Sequence, residues 1–138
     1  LRFLSIYEVS PDFGMMSQAW NVYSYAYPIV QQFFGVQPFV YNKSIRIQPQ
    51  MPSSWNEASL ENVMVGDNEL DYTFKRTGKR MELHLTQLQK SWKLTIALPK
   101  GTSKKWEING KAVKPVAQGA FDTFEITGKA NAFSAEMN

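Results

Sequence analysis

Few residues in this chain of 138 combine the type and the spacing that chemistry requires. Glu8 and Asp12 share a Pro/Gly loop that runs from Tyr7 through Pro11 to Gly14, and Gln18 and Trp20 follow where a long apolar stretch begins. A carboxylate in a rigid loop beside a helix start is placed to act as a general base, accepting a proton from water. A tryptophan presents a broad apolar face that can stack on a sugar. From spacing alone the same residues also fit a solvated loop carboxylate and a core indole.

Other chemistry has little support. His84 is the single histidine and alternates onto a polar face with Glu82 and Thr86, the pattern of a surface side chain. With one histidine and no cysteine, a transition-metal site is not expected, and disulfides and thiol nucleophiles are excluded. No Gly-rich phosphate loop follows a strand, and no Gly-x-Ser-x-Gly elbow occurs. No cofactor is expected. The net charge of +3 is modest. Its densest cluster, Lys75, Arg76, Lys79 and Arg80, straddles Thr77-Gly78 and reads as a solvated hairpin tip rather than a nucleic-acid surface.

The elements that must position these residues come in two kinds. From Phe13 to Asn42 there is no Asp, Glu, Lys, Arg or His. A helix is predicted from about Met15–Ser17 to Phe34, with Gly35 as its C-terminal cap and a kink at Pro28. Trp20, Tyr23, Tyr27, Val30 and Phe34 form one stripe at helical spacing; Ala19, Val22, Ala26, Ile29 and Phe33 form a second beside it. That face is wider than a surface helix needs. Asn21, Ser24, Gln31 and Gln32 interrupt it, which argues against membrane insertion and for burial among other helices. Leu1 to Glu8 do not make a signal peptide, there is no initiator Met, and the chain reads as a piece of a longer one.

Beyond Lys43 charges return and the period shortens to two. Residues 35–59 read as a Pro-rich connection holding one extended run, Ser44 to Gln48. Strands are then predicted with Leu70, Tyr72 and Phe74, then Met81, Leu83 and Leu85, then Trp92, Leu94, Ile96 and Leu98 pointing inward. Asn109-Gly110 marks a type I′ hairpin turn that brings Trp106 and Ile108 to the core. Further strands are predicted over 121–127 and 132–137. The fold class expected is mainly β: an antiparallel β-sandwich of about eight strands after a loop and long helix. An apolar content of 43% supports a packed core.

The order of motifs resembles the six-hairpin, or (α/α)6-barrel, glycosidases, which include glucoamylase-like enzymes, glycogen-debranching glucosidases, mannosyl-oligosaccharide glucosidases and bacterial α-L-rhamnosidases. The resemblance is carried by Tyr7-Glu8 with Pro11 and Gly14, by Ser17-Gln18-Ala19-Trp20, by Phe34-Gly35-Val36 with Pro38, by Ile45-Arg46-Ile47 with Pro49, Pro52 and Trp55, and by Leu60 to Gly66. It is detailed over about residues 5–75 and general beyond. It implies a division into the last loop and helix of a catalytic barrel (1–36), a connection (37–59) and a C-terminal sandwich (60–138). It implies that Glu8 is the general base of an inverting glycosidase, with Gln18 and Trp20 as substrate-binding candidates and a carbohydrate as substrate. It also implies a periplasmic or extracellular setting. Inversion needs a second carboxyl about 6.5–9.5 Å away, and the family draws it from a barrel segment this chain does not contain. A non-catalytic carbohydrate-binding or structural sandwich is the alternative; an exposed row of aromatics on one sheet face would favour sugar binding. The uncovered helix face further predicts a homodimer through residues 15–36.

Overall fold

The computed structural model describes residues 26–138. Among these the protein is two sheets around one core, preceded by a short helical segment. The sequence expectation of a mainly β sandwich holds. The helix predicted to begin near Met15 lies largely outside the described residues. Its end is described: a π-helical turn, Pro28–Phe33, closed by a bond from the Phe34 amide to the Ile29 carbonyl at 3.0 Å. Pro28 opens this turn directly after helical residues 26 and 27. Gly35 follows at φ 69°, the left-handed conformation that ends helices and that glycine adopts without strain.

Eleven strands follow: β1 Val36–Phe39, β2 Ser44–Ile47, β3 Glu57–Val65, β4 Asn68–Thr77, β5 Arg80–Gln87, β6 Lys93–Pro99, β7 Ser103–Ile108, β8 Lys111–Ala112, β9 Val116–Gln118, β10 Phe121–Ile126 and β11 Ala130–Met137. One sheet has the order β1-β2-β6-β10-β9 and the other β3-β4-β5-β11-β7-β8. Eleven exceeds the expected eight because β1, β8 and β9 are two to four residues long, too short to show a period. A second difference is direction. β2 pairs parallel to β6, Ile45 opposite Leu94 and Ile47 opposite Ile96, in a fold that is otherwise antiparallel. β1 and β2 fall in the stretch read as a connection and form one edge of the first sheet.

The period of two decides which side chains meet. Leu70, Tyr72 and Phe74 of β4, Met81, Leu83 and Leu85 of β5, and Trp92, Leu94, Ile96 and Leu98 around β6 are all buried. The sheets touch through rings: Phe124 of β10 lies 5.0 Å from Phe133 of β11 and 5.7 Å from Trp106 of β7. The Asn109-Gly110 turn forms as expected, with φ of 52° and 75° and Ile108 paired with Lys111. The long edge strand β3 is broken by a bulge between Leu60 and Val63. There Asn62 takes φ 57° and its amide donates to Asp71 Oδ1 at 2.9 Å. A kink of this kind spoils the edge as a template for another strand.

Gly35 and Gly110 separate two costs. Both hold positive φ, but a Cβ at Gly110 would meet open space, whereas one at Gly35 would sit 1.8 Å from the Gln48 carbonyl oxygen. Gly110→Ala should cost about 1–2 kcal/mol, the strain of the left-handed conformation alone. Gly35→Ala must carry that strain and also push strand backbone aside, so its loss should be clearly larger. Urea denaturation of the two variants checks the order; equal losses would remove the steric role given to Gly35.

Candidate functional site

Glu8, Asp12, Gln18 and Trp20 lie outside the described residues. What is described is the ground on which the element that follows them rests. Phe34 is buried with its ring edge-on to Tyr72 of β4, centroids 5.0 Å apart. Val30 and Phe33 pack against the same core. Phe33 also meets Trp55 edge-on at 5.5 Å. Backbone bonds complete the seat: the Gln48 amide donates to the Gly35 carbonyl at 3.0 Å and the Gln50 amide to the Phe33 carbonyl at 2.8 Å. The helical segment is therefore joined to the sandwich by both packing and hydrogen bonds.

Arg76 holds the far side of this seat. Expected at a solvated hairpin tip, it is instead half-buried. Its guanidinium donates to the carbonyls of Pro52 and Ser53 at 3.2 Å and of Met51 at 3.5 Å, and stacks over Phe74 at 5.1 Å. A planar fork of donors suits several carbonyls at once. The signal was present in the sequence: Arg76 continues the inward register of Leu70, Tyr72 and Phe74.

The same register exposes a second omission. Gln87 follows Met81, Leu83 and Leu85 and is buried. It accepts from Asn68 Nδ2 at 3.0 Å and donates to the carbonyls of Trp92 at 3.0 Å and Gly128 at 2.7 Å. Asn68 Oδ1 accepts from the Gln89 amide at 2.8 Å, and Trp92 Nε1 donates to Asp67 Oδ1 at 3.0 Å.

The outward face of the second sheet is polar. An open depression there of about 450 Å³ is lined by Glu57, Ser59, Glu61, Thr73, Lys75 and His84. Glu57 is held by Lys75 at 2.9 Å, and His84 stands 4.0 Å from Glu82, exposed as its alternation predicted. The lining has no aromatic platform. Tyr72, Phe74 and Trp92 face inward, so these residues make no aromatic row on a sheet face. The exposed aromatics Phe39 and Tyr41 stand at the β1–β2 hairpin tip, their rings 6.4 Å apart and edge-on. Among the described residues no group of three His, Asp or Glu is placed to hold a metal ion, and no helix is long and apolar enough to cross a membrane.

With this geometry in hand, solved structures supply the comparison. The chain superposes on an α-L-rhamnosidase from Dictyoglumus thermophilum with a TM-score of 0.60 and 12% identity, over 78% of this chain and 13% of that one. It superposes on the α-L-rhamnosidase of Streptomyces avermitilis, solved with L-rhamnose, with a TM-score of 0.56 and 13% identity, over 91% of this chain and 13% of that one. The chain thus spans about an eighth of the length of these neighbours. No family model and no curated protein matches it. The likeness establishes the fold: this sandwich is built like a domain of α-L-rhamnosidases, which are glycoside hydrolases.

Tyr72 tests how the helix seat is built. It is fully buried, and its hydroxyl finds no hydrogen-bond partner among the described residues. Burial pushes its ionisation far above the ordinary tyrosine range. Tyr72→Phe should therefore leave stability at neutral pH unchanged or raise it by up to about 1 kcal/mol, since it removes a desolvated polar group. Above about pH 10 the unfolded chain gives up this proton while the folded chain keeps it. Stability then falls with rising pH by about 1.4 kcal/mol per unit from this group. The variant should lose that part of the alkaline decline. Denaturant midpoints of both proteins at neutral pH and above pH 10 measure it, and identical alkaline slopes would contradict the assignment.

Proposed function

We propose that this chain is the C-terminal portion of a glycoside hydrolase of the six-hairpin type, with a sandwich that steadies the last catalytic loop and helix of the barrel. The observation that carries the reading is the sandwich fold shared with two α-L-rhamnosidases, together with the motif order that places Glu8, Gln18 and Trp20 directly before the seated helical segment. In this reading Glu8 takes a proton from the water that attacks the anomeric carbon, and inversion follows because water enters from the face opposite the leaving oxygen. The general acid comes from a barrel segment beyond this chain. Gln18 and Trp20 bind the sugar. The sandwich has a supporting part, consistent with the inward placing of Tyr72, Phe74 and Trp92.

The catalytic part of the proposal is tested in the intact enzyme. Glu8→Gln keeps the side chain's shape and removes its basicity. A general base contributes about 10²–10⁴-fold, so turnover should fall at least about a hundredfold with the melting temperature unchanged. Asp12→Asn should cost much less. The chain by itself should hydrolyse no aryl glycoside, since a base without its acid and without walls around the sugar does not position the reaction. Near wild-type turnover in Glu8→Gln would reduce the loop to a structural element.

The proposal also accounts for the helix face. The sandwich covers Val30 and Phe34 of one stripe and part of Phe33 of the other, but Ala26 of that second stripe is exposed and Ile29 keeps 38% of its surface in solvent. Barrel helices would cover this second stripe in the intact enzyme. Without them the chain should self-associate through residues 15–36, as a two-fold dimer. Multi-angle light scattering across a concentration series checks this; a strict monomer throughout would count against it.

A further inference from the structure

Asn109-Gly110 is the one Asn-Gly pair in the chain, and both residues are exposed. We infer that Asn109 is a latent site of spontaneous amide loss, kept closed by a clasp on β11. The reaction needs only water and base. The Gly110 amide nitrogen, its proton removed, attacks Asn109 Cγ. A C–N bond forms, the Cγ–Nδ2 bond breaks and ammonia leaves. Water then opens the resulting five-membered imide at one of its two carbonyls, giving aspartate or isoaspartate. Gly110 has no side chain to shield its nitrogen, and the space beside it is open.

The fold opposes this attack at both ends of the Asn109 amide. Oδ1 accepts from the Ala132 amide at 2.8 Å, and Nδ2 donates to Asn131 Oδ1 at 3.2 Å. The Asn109 backbone is tied to the same strand, its amide donating to the Ala132 carbonyl at 2.7 Å. Turning Cγ toward the Gly110 nitrogen breaks both side-chain bonds, so the reaction waits on local opening of the β7–β8 turn. Its products change the clasp. An aspartate at this position sets an oxygen where Nδ2 had stood, and the Asn131 amide must turn to bring its own Nδ2, which has no partner among the described residues, to that oxygen. Isoaspartate adds a backbone atom to a two-residue turn whose register depends on its length.

The test is peptide mapping by mass spectrometry of the full chain held in mildly alkaline buffer, native and in urea. The expected result is a severalfold slower gain of one mass unit at Asn109 in the native chain. Asn131→Ala, shown to be folded by circular dichroism, should raise the native rate severalfold. Equal rates with and without urea overturn the inference, and so does a folded Asn131→Ala that reacts at the wild-type rate. If Asn131→Ala does not fold, the comparison with urea decides alone.

Discussion

The buried contact between Asn68 and Gln87 ties together parts of the chain that the two sheets alone leave apart. Asn68 begins β4, Gln87 ends β5, and the Gln87 amide reaches the Trp92 carbonyl before β6 and the Gly128 carbonyl between β10 and β11. The Gln87 backbone amide adds a bond to the Lys129 carbonyl at 2.7 Å. Three loops thus meet at two side chains, and two of them, β5–β6 and β10–β11, carry the chain from one sheet to the other. Backbone groups at such a crossing have no strand partner, and burying them unpaired costs about 1–3 kcal/mol each. Two amides, each both donor and acceptor, satisfy them with little volume. Trp92 closes the site from the other side, its ring in the core and its N–H on Asp67, which Lys43 meets at 3.6 Å. β2 begins one residue later, so the same junction sets where the parallel β2–β6 pair starts.

That pair leads on to the helix. β2 holds β1 through Val36 opposite Ile47, and β1 begins directly after Gly35. The helix end is therefore positioned by a chain of backbone contacts running from β6 through β2 and β1, not by side-chain packing alone. Packing then adds orientation, since Phe34 enters between the sheets against Tyr72 and Phe33 stays at the surface against Trp55. An element held by backbone register and by two rings on different sides has little freedom to rock. That is the property a supporting domain needs if a loop preceding the helix must hold a reactive group in place.

Much of this was legible in the sequence where a residue's environment follows from local period. The inward runs of β4, β5 and β6 and the Asn109-Gly110 turn came directly from alternation and turn chemistry. β1 and β9 did not, because at four and three residues they are too short to show a period; β2 was legible as the extended run Ser44 to Gln48, but its parallel partner β6 lies far along the chain. The polar core was legible in principle. Gln87 and Arg76 each continue an apolar register, and a polar residue at an inward position must find partners or not be buried. Reading Arg76 by its charge and neighbours instead of by its register put it in solvent. The candidate site is a different case. Glu8, Gln18 and Trp20 are candidates from the order of motifs, and the described residues reach only the element that follows them.

The distribution of aromatics bears on what the sandwich is for. A sheet that binds sugar by stacking keeps broad rings on a flat outer face, where they are solvated until a ligand arrives. Here the outer face of β3, β4 and β5 is charged and hydroxylated, with Lys75 engaged by Glu57 and Arg80 by Glu82 at 2.7 Å. Tyr72, Phe74, Trp92, Phe124 and Phe133 fill the interior instead, and β3, the long edge of that sheet, is bulged. Such a surface resists both strand addition and apolar stacking. The large apolar side chains that remain exposed on the described residues stand at Ile29 of the helix segment, at Trp55, at the β1–β2 tip with Phe39, Val40 and Tyr41, and singly at Met64, Leu88 and Val116. Five of these eight lie between residues 29 and 55.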